Sequence, residues 1–265
     1  MNYIGSIIGD YCGSTYKWNN VNQNNPHYNI DINNGHFTDN TVCTMAVMHW
    51  LCSSENKSNM ELIDTLRDFG KKSQNVSFNP KYKRWLYSEG YNQNCSGVDA
   101  AVRSIPCAYY ANTLDECLDL AEKSAKATHK DDDDILAAKV IGEAIYLARS
   151  GAGKEDIVRV LESDFGYSIP TELNVVSGPE YQFNITTNKV IIKAISCFVN
   201  SANFSDCIRL TIWSGGETNT ITALSCGIAE AYYGIPHCIM EDFKGKFPDS
   251  IKTTITNFNE IMLQR

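Results

Sequence analysis

The chain has 265 residues, 43% of them hydrophobic and 20% charged, with a formal net charge of −8. That length carries one large domain or two small ones with ample core, and the composition is that of a globular protein. The negative balance argues against a nucleic-acid backbone binder, and no apolar run approaches the ~18 residues of a membrane-spanning helix. The first residues, Met1 to Asp10, lack a basic region and meet an acid early, so no signal peptide is expected there. Ten cysteines are scattered without any Cys-x-x-Cys pair. They read as reduced small hydrophobes in a cytoplasmic protein rather than as a metal or disulfide framework.

Residues 2–16 predict a helix whose Gly5, Gly9 and Gly13 recur every fourth position, a stripe suited to close packing. Asn- and Gly-rich sequence from Asn19 to Gly35 reads as a loop. Thr38-Asp39-Asn40-Thr41 then opens a helix through Cys52 with Val42, Met45, Ala46 and His49 on one face. Met60 to Lys72 reads as a third helix with Leu62, Leu66 and Phe69 inward. Ser73 to Ser96 is irregular and aromatic (Phe78, Tyr82, Trp85, Tyr87 and Tyr91), and so long a loop is expected to be functional. Helical pattern resumes from Gly97 through Asp99 to Arg103, with Pro106 as an interruption. Thr113 caps a helix to about Thr128, where Asp115 and Glu116 complement the dipole.

The acidic run Asp131 to Asp134 opens the next helix, to Arg149. Acids at such a position usually face water as dipole complements rather than bind a cation. A turn at Gly151-Ala-Gly153 and a short helix over 154–162 come next. Tyr167 to Phe183 reads as a linker-like loop. Helices are predicted near 187–200, 204–212, 217–233 and 249–262. Period-2 alternation is nearly absent, so the fold class is all-α.

The stretch Trp213 to Pro236 organises the rest. Gly215 and Gly216 permit a tight turn, and Glu217, Thr218, Asn219 and Thr220 succeed them as an oxygen-rich cluster. Ile221, Leu224, Ile228 and Tyr232 form one stripe of a buried helix, beside the small residues Ala223, Gly227 and Ala231; Gly234 and Pro236 end it. Oxygen-bearing side chains at a helix N-terminus suit a ligand or hard metal ion, or simply cap the helix. A second such cluster, Thr38-Asp39-Asn40, lies far away in sequence.

These two clusters, with Ile8 to Lys17, Asp99 to Arg103, Ala127-Thr-His129 and Ile228 to Pro236, resemble the ADP-ribosylglycohydrolase family, of the dinitrogenase reductase-activating glycohydrolase type. The resemblance covers almost the entire chain and implies an orthogonal helical bundle in one domain, 1–265. It also implies that Thr-Asp-Asp-Thr and Gly-Gly-Asp-x-Asp-Thr motifs supply the ligands of two magnesium ions. Here those positions are Thr38, Asp39, Asn40, Glu217, Asn219 and Thr220. Asp39 and Glu217 are then the candidate catalytic carboxylates, and Lys17, Arg103, Gly215, Gly216 and His129 the candidate ligand-binding residues.

The sequence departs from the family pattern at several of these places. Lys17 stands where a glutamate is expected, and Asn40 and Asn219 replace aspartates. Two carboxylates facing an ammonium hold two divalent ions poorly, so Mg²⁺ is expected to be weak or absent. Two readings remain: a hydrolase of ADP-ribose derivatives with a rebuilt site, or a catalytically dead binder of an ADP-ribose-like nucleotide or an ADP-ribosylated partner. Neither involves nucleic acid or membrane.

Overall fold

The computed structural model describes residues 2–17, 33–90, 95–177 and 186–265. Tyr91, most of the Asn-rich stretch 19–35 and the end of the 167–183 loop lie outside them. Among the described residues there are fourteen helices and no strand, with one isolated bridge between Cys95 and His129. The all-α expectation holds. The helices are α1 (Gly5–Ser14), α2 (Asp39–Ser53), α3 (Asn59–Lys72), α4 (Pro80–Leu86), α5 (Asp99–Tyr110), α6 (Leu114–Lys126) and α7 (Asp132–Arg149). They continue as α8 (Lys154–Phe165), α9 (Leu173–Val176), α10 (Thr187–Asn200), α11 (Phe204–Ser214), α12 (Thr218–Tyr233), α13 (His237–Lys244) and α14 (Asp249–Met262).

Helix α12 is the hub, buried along Thr218–Ala231 and packed on α1, α5, α7, α10 and α11. Its closest neighbour is α1. A Cβ at Gly5, Gly9 or Gly13 would overlap the main-chain carbonyls of Cys226, Thr222 and Thr218 in turn, so the two helices run backbone against backbone. The other small stripe meets α5 instead: Gly227 faces Ile105, and the Tyr109 hydroxyl donates to the Gly227 carbonyl at 2.6 Å. Glu230 closes the far end of the pair. Its buried carboxylate accepts from the main-chain N–H groups of Asn2, Tyr3 and Gly5 at 2.6–2.9 Å. The Gly5 N–H is one that a helix start leaves unsatisfied, and Asn2 and Tyr3 precede the Ile4 cap, so α1 begins at Gly5 rather than at residue 2.

Most boundaries obey local chemistry. Thr38, Thr113, Asp131, Thr186 and Asn203 each cap a helix with a side-chain oxygen, and Ser58 forms a capping box with Glu61. Four expectations are corrected. The aromatic 73–96 segment contains α4, because Asn79 caps it and Pro80 occupies the first helical turn, where a missing N–H costs nothing. Pro236 similarly ends one helix and opens α13. Helix α5 runs through Pro106, buried within it, at the loss of one internal hydrogen bond. His49 lies on the outside of α2, its ring 5.5 Å from that of Phe69.

Candidate functional site

The N-terminal ends of α2 and α12 meet the C-terminal half of α1, and Asp10 of α1 stands at the junction. Its buried carboxylate accepts from the Thr38 N–H at 2.8 Å, the Thr38 hydroxyl at 2.6 Å and the Thr41 hydroxyl at 2.6 Å. The amide nitrogens of Asn40 and Asn219 each approach it at 3.4 Å. Asn40 Nδ2 also donates to the Thr220 hydroxyl at 3.1 Å, and the Thr218 hydroxyl to the Gly13 carbonyl at 2.7 Å. The two distant oxygen clusters therefore converge. Burial pushes the Asp10 carboxyl above its ordinary range, against the hydrogen bonds from Thr38, Thr41 and Asn219.

Two adjoining clefts open above this junction. One, of about 270 Å³, is walled by Lys17, Asp39, Asn40, Asp99, Glu217, Asn219 and Thr220, with Ser77 to Pro80 across from them. The other, of about 370 Å³, holds His36, Phe37, Thr38 and Asn75 and shares Lys17, Asp39, Ser77 and Asn219 with the first. Lys17 Nζ lies 3.2 Å from Glu217 Oε1, with both side chains about a third exposed (39% and 31%). Burial and the neighbouring Asp10 raise the Asp39 carboxyl, which Lys17 opposes. Half-buried Asp99 is raised further, to about 7, by burial and then by Asp39 and Glu217. Asn219 is 1% exposed, and its Oδ1 is buried without a hydrogen-bond partner. It is an acceptor left over at the wall that both clefts share.

The structure brings together Lys17, Thr38, Asp39, Asn40, Glu217, Asn219 and Thr220. It sets the other named residues apart. Arg103 is fully buried and lines neither cleft; its Nη2 donates to the carbonyls of Ser124 and Ala125 and to the Thr128 hydroxyl, tying α5 to the end of α6. His129 is buried beside it, with Nδ1 2.8 Å from the Thr128 hydroxyl. Burial and Arg103 lower it to about 3, so the ring is neutral at physiological pH. Gly215 and Gly216, with φ of 74° and 88°, form the turn from α11 into α12 and line neither cleft. Tyr82 and Trp85 belong to the core, and Phe78 reaches the first cleft. Asp134, from the acidic run, is buried and accepts from the Gly97 N–H and the Thr187 hydroxyl, whereas Asp131 to Asp133 are exposed.

Sequence reasoning missed Asp10 and Asp99. The available signal for Asp10 was an acid between Gly9 and Gly13, on a helix otherwise built for close burial. For Asp99 it was an acid opening a helix that is buried throughout.

The donor set fits a hydrogen-bonded junction better than a pair of magnesium ions. Magnesium needs near-octahedral hard oxygens. At two of the six expected positions an amide nitrogen is turned toward Asp10, and at a third an ammonium meets Glu217. Among the described residues no group of three or more His, Cys, Asp or Glu side chains could hold a metal ion.

The fold is thus an all-helical bundle in which the N-termini of α2 and α12 meet beneath two adjoining clefts. The chain belongs to the ADP-ribosylglycohydrolase family, whose sequence model matches residues 3–265. Among solved structures it is similar to an "ADP-ribosylglycohydrolase-related protein complex". The identity is 18%, over 97% of this chain and 95% of that one, with a TM-score of 0.72. No curated protein matches.

Proposed function

We propose that this family member recognises an ADP-ribose derivative in a cleft that is complete without metal ions, as a binding protein rather than a two-metal hydrolase. One observation carries the reading: the Asn40 and Asn219 amides donate toward Asp10. Aspartates there would bring three carboxylates together and need cations between them, whereas amides close the junction by themselves.

The walls suit a ribose. Carboxylates at Asp39, Asp99 and Glu217 accept from sugar hydroxyls, each such charge-assisted bond contributing about 1.5–3 kcal/mol. The leftover Asn219 Oδ1 is a further acceptor. The same carboxylates repel phosphate, so the pyrophosphate belongs toward Lys17, the cation common to both clefts. The larger cleft, with Phe37 and His36, then receives the base.

Calorimetric titration with ADP-ribose tests this, run once with Mg²⁺ and once with a chelator. Equal affinity in both, together with no release of ADP-ribose from ADP-ribosylated arginine or serine peptides, is expected. A tenfold or greater gain with Mg²⁺, or chelator-sensitive turnover, would overturn it.

A further inference from the structure

Lys193, on α10, is fully buried. Lysine is almost never so placed unless its ammonium has partners, because removing the charge from water is costly. Its Nζ donates to two main-chain carbonyls, Ser214 at 2.7 Å and Gly215 at 2.9 Å. Both lie where α11 ends. The last carbonyls of a helix lack intrahelical partners and carry the negative end of its dipole, so a buried cation there is favourable.

The next residues matter more. Gly215 and Gly216 both take positive φ, and a glycine pair is the most conformationally permissive link a chain can have. Such a link does not by itself aim the helix beyond it. Glu217 comes next, at the start of α12 with no side-chain cap bond of its own, and its carboxylate reaches Lys17 across the cleft mouth. One bond from the buried ammonium holds the Ser214 carbonyl and the other holds the Gly215 carbonyl, the first of this glycine link and one peptide unit short of Glu217.

We infer that Lys193 is a positioning residue: its buried ammonium sets the Ser214–Gly216 turn and thereby the place of Glu217 beside Lys17. The same burial that excludes water from Lys193 lowers its pKa to about 8, which leaves it mostly charged at neutral pH. A hydrophobic side chain would fill the same space without that desolvation cost, so the ammonium's contribution is directional rather than one of packing. The inference rests on Glu217 being a cleft residue and is independent of which ligand the cleft takes.

The test uses the full chain labelled with ¹³Cδ-glutamate and observed by NMR without ligand. The Glu217 signal is assigned by its loss in Glu217→Gln. Glu230, on the same helix but at its other end, serves as the internal control. In Lys193→Met the Glu217 resonance is expected to move while that of Glu230 stays. Lys17→Met is expected to move Glu217 as well, and adding Lys193→Met to it should move Glu217 less than Lys193→Met does alone, because both act on one contact. A Lys193→Met protein with a lowered melting temperature but an unmoved Glu217 signal would overturn the inference. So would equal movement of Glu217 and Glu230, which means general loosening. Should Lys193→Met fail to fold, Lys193→Gln keeps an N–H donor on a shorter stem and is read the same way, with a smaller expected shift. Failure of ADP-ribose to bind the wild type would count against the proposed function and leave this result standing.

Discussion

At Asn40 one atom decides how three helices meet. Its Nδ2 lies between Asp10 and the Thr220 hydroxyl, so it donates to groups on α1 and α12 at once. Asn40→Asp replaces that donor by an oxygen facing a buried carboxylate. The expected cost at pH 7 in chelator is about 3 kcal/mol, as for other uncompensated buried charges. The deficit should shrink as pH falls into the carboxylate range, where one of the two acids takes a proton. Urea denaturation at pH 7 and pH 5 measures it, and a variant as stable as wild type at pH 7 would contradict the picture of the junction. Asp99 gives a second pH signature. Its folded-state pKa is raised from 3.8 to about 7, so its contribution to stability is complete below pH 3.8 and is lost as pH rises through 7. Asp99→Asn removes that dependence. Its denaturation midpoint should exceed that of wild type at pH 8, and the advantage should narrow or vanish by pH 5; a variant weaker at pH 8 would refute the assignment.

At the scale of elements, the pairing of α1 with α12 is the least forgiving contact. Gly9→Ala drives a methyl group into the Thr222 carbonyl, which belongs to a helix packed on every side. Neither backbone can retreat, so a loss of about 3 kcal/mol is expected from overpacking. A melting temperature within a degree or two of wild type would show that the helices part more easily. This contact was legible in the sequence, because a four-residue glycine period is a steric statement that needs no knowledge of the partner. The convergence of Thr38 to Asn40 with Glu217 to Thr220 was legible only through resemblance to the family. Asp10 was not, since its meaning depends on donors 28 to 209 residues away. The aromatic segment misled for a different reason. Pro80 punctuates a loop and opens a helix equally well, and Tyr82 and Trp85 then turn into the core instead of toward a ligand.

For the whole molecule, an 18% identical protein shares the fold at a TM-score of 0.72, so the helical frame tolerates replacement of most of its residues. The period of the apolar pattern therefore finds the fold class and not the chemistry of the cleft. No helix among the described residues is long and apolar enough to cross a membrane. The ten cysteines are free thiols, eight of them buried, and serve as packing atoms across the bundle.

The Glu230 carboxylate that seats the first turn of α1 lies 225 residues beyond Gly5 in the chain. A ribosome adding ~5–20 residues per second makes the first helix roughly 10–45 s before its seat exists. Throughout that interval the glycine face has no helix to lie on, and the Asp10 carboxylate, lacking the Asn219 amide, keeps a way out to water. Helix α1 is thus made early and settled late, and the cleft comes into being only once α12 has reached it.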